Sequence, residues 1–185
     1  LLVFESKDDF YYLQILQRKK ENPQLGSNSR VIKNYYISST EQLEKRFDEI
    51  VLLCETFNAR AMLRLNKRSF RKVGFKNMVN VANTMANGEY SFLKGSYDRA
   101  CGLGHNDPNK KWILDIDQVD ISDHIYLDSV EGFIDKQQPI GKKVYKKLKT
   151  KNGVHLVTKP FDLRGFGDSF VDIDIHKDNP LMKNK

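Results

Sequence analysis

Apolar and polar residues alternate along short stretches in the second half of the chain, as they do in strands that bury one face. The clearest stretch is 112–119, where an apolar run passes into alternation, and a second extended stretch covers 170–176. Between them, 144–149 and 153–161 are predicted to form a hairpin that turns near the Asn-Gly pair at 152–153. The second half is therefore predicted to be rich in strands.

The first half of the chain has helical periodicity. Ser39 and Gln42 form a capping-box pattern, and the apolar positions that follow continue at helical spacing to Phe57. A second helix is predicted to begin near Phe70 and to end at Gly88. Both helices are expected to pack one apolar face against a core.

Strands are predicted at 31–37 and 60–65, a loop at 21–30, and a helical or irregular segment at about 122–137. Helices and strands alternate early in the chain, and strands cluster late. This order predicts the α+β class, with an N-terminal αβ unit packed with a mixed or antiparallel sheet.

Charge is distributed unevenly along the predicted single domain, 1–185. Residues 1–111 carry 19 basic and 12 acidic side chains, whereas 112–185 carry 12 of each. The basic excess of the αβ unit favours a polyanion such as nucleic acid. Aromatic residues that could stack on bases lie among the basic ones: Tyr11, Tyr12, Tyr35, Tyr36, Phe70 and Phe75.

Composition restricts the class of protein further. The chain is 39% hydrophobic and 30% charged, as expected for a globular domain. No apolar run approaches the roughly 20 residues of a membrane helix, so no membrane partner is expected. The two cysteines suit a reducing cytoplasm.

Candidate chemistry begins with Asp115 and Asp117, which share one face of the strand predicted at 112–119. Two carboxylates this close repel each other unless a cation lies between them. Their hard oxygen atoms favour Mg²⁺ or Mn²⁺. The alternative is a strand end whose acids face water.

Two later strands carry further polar faces. His155 lies opposite its apolar neighbours in the strand that follows the predicted turn. Asp172, Asp174 and His176 share the polar face of the last strand. The order along the chain is therefore Asp-x-Asp, then Gly-Val-His at 153–155, then an Asp that closes a strand.

This order of motifs resembles the catalytic core of the archaeo-eukaryotic primase superfamily, including small primase-polymerases of phages and plasmids. The resemblance covers mainly 112–180 and implies an RRM-like core. It implies that Asp115, Asp117 and Asp174 hold divalent metals and that His155 contacts the phosphates of the incoming nucleotide. The chain departs from the family where His176 replaces an Arg and Asn179 a Gly.

The resemblance further implies a DNA primase or polymerase that joins nucleoside triphosphates on a template and primer. A helicase or accessory replication domain is an expected partner, and the host cytoplasm is the expected location for a phage-encoded protein. Further candidates for phosphate contacts are Lys149, Lys151, Arg164 and His176. His176, with Asp172, is also a candidate for an alternative metal ligand.

Two other functions remain open. Asp115 and Asp117 also resemble the nucleophile and the general acid-base of haloacid-dehalogenase-type phosphatases, a family that needs a parallel, doubly wound sheet. The non-enzymatic alternative is a nucleic-acid-binding module without catalysis. It predicts binding that weakens with salt and does not depend on Mg²⁺.

Overall fold

The computed structural model describes residues 2–103, 109–150, 152–178 and 180–183. The α+β class is confirmed, and every strand pairing within the described residues is antiparallel. The chain divides into two compact units, one formed by Leu1–Asp107 with Pro180–Lys183, the other centred on Pro108–Asn179. None of the helices in the described ranges is long and apolar enough to cross a lipid bilayer.

Helices and strands alternate along most of the chain. In chain order they are β1 (Asp9–Arg18), β2 (Ser29–Ile37), α1 (Thr40–Thr56), β3 (Arg60–Arg64), β4 (Arg68–Ser69), α2 (Phe70–Ala86), a 3₁₀ helix (Tyr90–Gly95), α3 (Ser96–Leu103), β5 (Trp112–Asp117), α4 (His124–Asp135), β6 (Val144–Lys149), β7 (Gly153–Thr158), α5 (Phe166–Ser169), β8 (Ile173–His176) and β9 (Pro180–Lys183).

The sheet of the first unit has the order β2-β1-β3-β9, and β4 pairs with β1. Its central strand β1 is buried on both faces. Leu13 and Ile15 belong to a core cluster with Ile50 of α1, whereas Phe10 belongs to a second cluster with Val73 of α2. The sheet therefore lies between α1 on one face and α2 with α3 on the other.

The two predicted helices of this unit are confirmed, with side-chain caps that explain where they begin. Ser39 Oγ accepts a hydrogen bond from the Gln42 backbone N–H at 3.1 Å, and Ser69 Oγ accepts one from the Lys72 N–H at 3.0 Å. The Gln42 side chain accepts from the backbone N–H of Ser38 rather than that of Ser39. The capping box is therefore present in a shifted form.

The second unit contains a four-stranded antiparallel sheet in the order β6-β7-β5-β8. Its elements follow the order β5, α4, β6, β7, α5 and β8, and the first and third strands are central. This is the β-α-β-β-α-β arrangement known as split βαβ. The predicted β6–β7 hairpin and the helix within 122–137 are both confirmed.

Helix α4 covers one face of the second sheet. Leu127, Val130 and Ile134 of α4 pack in one buried cluster with Leu114 and Ile116 of β5. Asp115, which lies between Leu114 and Ile116, and Asp117 therefore face the opposite side of the sheet. That side carries the predicted chemistry.

Candidate functional site

The strand β5 positions the two acids of the Asp-x-Asp motif. Its apolar residues Leu114 and Ile116 are almost completely buried against α4. Burial of these side chains fixes the strand face, because successive side chains point to opposite sides. Asp115 and Asp117 consequently share the face that does not carry α4.

Strand register brings the three motifs onto one rung of this sheet. Asp115 pairs directly with His155 of β7 on one side and with Asp174 of β8 on the other. Directly paired residues share a face, with Cβ atoms about 5 Å apart. We call Asp115, His155 and Asp174 the central rung.

The Asp115 carboxylate faces two imidazoles. His155 Nε2 donates a hydrogen bond to Asp115 Oδ1 at 2.9 Å, and His176 Nε2 lies 3.7 Å from Oδ2. His176 is two residues from Asp174 on β8 and therefore lies on the same face. His155 is only 6% exposed, so its contact with Asp115 is shielded from water.

These contacts shift two protonation equilibria in opposite directions. The hydrogen bond from His155 and then the contact with His176 hold the pKa of Asp115 well below its usual range, although burial acts against them. The pKa of His176 is raised, mainly because its contact with Asp115 outweighs its partial burial. An ionised Asp115 and a protonated His176 therefore stabilise each other.

The two shifts predict how stability depends on pH. The stability gained from Asp115 is present above the unfolded carboxyl pKa, about 3.9, and is lost as the pH falls through the lower folded value. The stability gained from His176 is complete below the unfolded imidazole pKa, about 6.5, and is lost as the pH rises through the higher folded value. In buffer with a chelator, we expect a larger free energy of unfolding at about pH 5.5 than at about pH 8.5.

Urea unfolding of two variants at both pH values tests this assignment. In His176→Gln the difference between the two pH values should shrink. In His124→Gln it should persist, because His124 is an exposed residue at the start of α4. An equal difference in both variants would show that His176 does not carry the effect.

Gly153 explains the small residue of the Gly-Val-His motif. It pairs with Asp117, and a Cβ added to it would lie 1.9 Å from the carbonyl oxygen of Ile116. The strands β5 and β7 therefore approach too closely for any side chain at this position. Just beyond, the Gln118 N–H donates to the Asn152 carbonyl at 2.7 Å, which fixes the end of β5 beside the turn.

The predicted metal ligands Asp115, Asp117 and Asp174 lie on one face of two neighbouring strands, and the last two are exposed. Their hard oxygen atoms fit Mg²⁺ or Mn²⁺ in chemistry. As the side chains stand, no group of three or more His, Cys, Asp or Glu within the described ranges could hold a metal ion. For Asp115 to bind a cation through Oδ2, this oxygen would have to lose its long contact with His176.

The predicted phosphate contacts are not all brought to the central rung. Lys149 pairs with Val154, whose side chain belongs to the core on the α4 face, so Lys149 lies on the opposite face from His155. Arg164 lies between β7 and α5 and forms an ion pair with Asp162 at 2.5 Å. Lys151 lies outside the described residues.

Asp172, predicted as an alternative metal ligand, precedes β8 and is exposed. Its charge raises the pKa of Tyr126 on α4, after the larger effect of burial. Asp172 lies before the first residue of β8 that pairs with β5, which is Ile173. The structure does not bring it to the central rung.

Lys146 is a candidate that the sequence did not single out. It pairs with Val157, which shares a face with His155, and it is exposed. A register irregularity between Val144 and Lys146 sets which lysine of β6 lies on the face of the central rung. Such an irregularity leaves no signal in the residue pattern.

Most of the aromatic residues predicted to stack on bases are structural. Tyr11, Tyr12 and Tyr35 are buried in the cores of the first unit. The prediction that these three rings stack on bases is therefore wrong. The Tyr12 and Tyr36 hydroxyls donate to Asp98 Oδ1 at 3.2 and 2.5 Å. Of the six aromatic residues, only Phe75 is exposed.

Comparison with known proteins finds no relative of the chain. No family model matches the chain, and neither a curated protein nor a solved structure matches it. The function is therefore inferred from the geometry of the central rung and from the charge of the chain.

Proposed function

We propose that the chain is a metal-dependent nucleotidyltransferase of the primase-polymerase type, which joins nucleoside triphosphates on a DNA template during phage or plasmid replication. One observation carries the proposal. Asp115, His155 and Asp174 come from three separate motifs and pair side by side on one sheet face. Alternating polar residues in three strands could arise by chance, but they would not have to pair in this register.

The connectivity of the second unit supports the same proposal. An RRM-like core consists of an antiparallel sheet in the β-α-β-β-α-β order, with its first and third strands in the centre. The second unit has this order, and the first strand β5 carries Asp115. Asp115 and Asp117 therefore lie on a central strand, where neighbours on both sides contribute to one site.

The carboxylates and the cationic side chains would divide the work between them. Asp115, Asp117 and Asp174 would hold Mg²⁺ or Mn²⁺. Bound metal ions neutralise charge on a triphosphate and lower the pKa of the attacking hydroxyl. The exposed Lys146 is a positive charge on the same face, and His176 is a second one when it is protonated; both would attract the triphosphate oxygens.

His155 has a more restricted role than the resemblance implies. Because the ionised Asp115 can only accept, the proton of this contact is on His155 Nε2. A hydrogen bond from the same ring to a phosphate would have to come from Nδ1 of the imidazolium. We therefore assign to His155 mainly the positioning of Asp115.

The basic first unit supports a nucleic-acid partner. The chain has a net charge of +7, and its whole basic excess lies in 1–111. Neutralisation of phosphates by such a surface provides affinity for a template without reading its sequence. A helicase or accessory replication domain and a cytoplasmic location belong to the same proposal.

The phosphatase alternative is disfavoured by the sheet. Its nucleophile strand requires parallel neighbours, whereas β5 has an antiparallel neighbour on each side. Asp115 also accepts a hydrogen bond from the buried His155 through Oδ1. That oxygen is therefore not free to attack phosphorus. A binding module without catalysis is compatible with the charge and is separated from the enzyme by the experiment below.

Replacement of Asp117 by asparagine tests the proposed activity. The wild-type protein is expected to extend a labelled, primed template in the presence of Mn²⁺ and nucleoside triphosphates. Asp117→Asn should reduce the rate at least about 100-fold, because it removes the charge of a metal ligand. Since Asp117 is exposed at the end of β5, the variant should keep its unfolding midpoint. Gel electrophoresis of the extended primer gives the rate.

Asp128→Asn is the matched control. Asp128 is an exposed acid on α4, on the other side of the sheet, where it pairs with Lys147. This variant should retain wild-type extension. Equal activity of the two variants would contradict the proposal. Salt-sensitive DNA binding that ignores Mg²⁺, without extension by the wild type, would favour the binding module instead.

A further inference from the structure

Helix α2 of the first unit exposes apolar side chains along one face. Phe75, Met78, Val79, Ala82 and Met85 follow the spacing i, i+3, i+4, i+7 and i+10, and all are exposed. Met78 is 66% and Val79 58% exposed. We call these five residues the α2 stripe. It extends along about 15 Å of the helix.

Three uncharged polar residues of the same helix lie on its more buried side. Asn77, Asn80 and Thr84 are half-buried. Asn77 Oδ1 is buried and has no hydrogen-bond partner within the described part of the chain. A surface helix normally has the opposite distribution, because it buries its apolar face. The α2 stripe is therefore not explained by the packing of the first unit.

Basic residues surround the beginning of the stripe. Arg71, Lys72 and Lys76 are exposed, and no Asp or Glu occurs between Phe70 and Ala86. Positive charge in the first turns of a helix opposes the helix dipole and weakens the helix slightly. The stability of α2 therefore does not explain these three cations. A contact with a negatively charged partner would explain them.

We infer that the α2 stripe is the docking site for an acidic amphipathic helix of a partner protein. The apolar ridge of such a helix would lie along the stripe, and its carboxylates would face Arg71, Lys72 and Lys76. Met78 and Met85 suit this contact because their side chains adapt to the shape of a partner. The inference goes beyond the proposed activity and does not depend on it.

Other occupants fit the surface less well. A single-stranded nucleic acid would neutralise the cations and find one exposed ring in Phe75, but the other four residues of the stripe are not aromatic and offer no ring on which bases stack. A second copy of the chain would bring three more cations and no acid from the same helix. Charge complementarity thus favours an acidic helix.

Binding of a designed peptide tests the inference with the full chain. The probe is a fluorescein-labelled helix of about 18 residues, with leucines at the spacing of the stripe and glutamates on both flanks. Its anisotropy should saturate on titration with the protein. Met78→Gln/Val79→Gln and Lys72→Glu/Lys76→Glu should each weaken binding at least about tenfold. All of these positions are exposed, so the variants should keep the wild-type unfolding midpoint.

Leu52→Gln is the matched control, because Leu52 is an apolar residue of α1 that is 61% exposed. It should bind the peptide as tightly as the wild type. A scrambled peptide of the same composition should bind at least about tenfold more weakly. Equal binding of the two peptides, or no saturation by about 1 mM, overturns the inference.

Two further outcomes would name a different occupant and would also overturn the inference. In one, a single-stranded oligonucleotide binds the wild type, loses affinity in Met78→Gln/Val79→Gln, and displaces the peptide. In the other, sedimentation shows a dimer of the wild type that the same double variant converts to a monomer.

Discussion

Replacement of Asp115 by alanine is expected to abolish nucleotide addition and to destabilise the second unit. On the proposed function, the rate of primer extension should fall at least about 1000-fold, because the central ligand charge is lost. The free energy of unfolding should fall by about 2–3 kcal/mol, because the buried His155 loses its acceptor. Primer extension and urea unfolding of the same preparation measure both effects.

Asp115→Asn separates these two roles. Its amide oxygen can still accept the hydrogen bond from His155, so most of the stability should remain, whereas the charge that a metal requires is absent. We expect low activity with a nearly normal unfolding midpoint. Wild-type extension by either variant would contradict the proposed function. Unchanged stability of Asp115→Ala would contradict the buried His155 contact.

Gly153→Ala is expected to be the most destabilising of the conservative substitutions in this unit. The added Cβ would lie 1.9 Å from the Ile116 carbonyl oxygen and 3.0 Å from the Asp117 Cα, both atoms of the backbone. No side-chain rotation relieves such a contact, so β5 and β7 would have to separate. We expect a loss of at least about 3 kcal/mol, measured by urea unfolding.

Gly132→Ala provides the comparison for this variant. Gly132 lies within α4, and nothing lies within 4 Å of a Cβ added there. Because alanine favours helix more than glycine does, this variant should be neutral or up to about 1 kcal/mol more stable than the wild type. If Gly153→Ala were as stable as Gly132→Ala, the close approach of the strands would be refuted.

The sequence predicted most elements that carry a clear alternation, a cap or a turn signal, and it missed the central strand β1, which has none of these. Alternation revealed β5, and capping with helical spacing revealed α1 and α2. The central strand β1 is buried on both faces by two separate clusters, so its residues do not alternate. Periodicity alone therefore did not identify it, although it organises the first sheet.

The candidate site was predictable as a set of motifs but not as a set of contacts. That Asp115 and Asp117 share a face follows from the residue pattern. That Asp115 pairs with both His155 and Asp174 follows from strand register, which long-range packing decides. Register also placed Lys146, rather than Lys149, on the face of His155.

Strand β9 has a consequence for how the two units can be separated. Pro180–Lys183 completes the first sheet by pairing with β3, although the intervening residues belong to the second unit. Truncation near residue 107 would leave β3 with a bare row of amide and carbonyl groups, which invites aggregation. A soluble N-terminal fragment should instead be obtained by excising the inserted second unit and joining the retained strand β9 through a flexible glycine-serine linker.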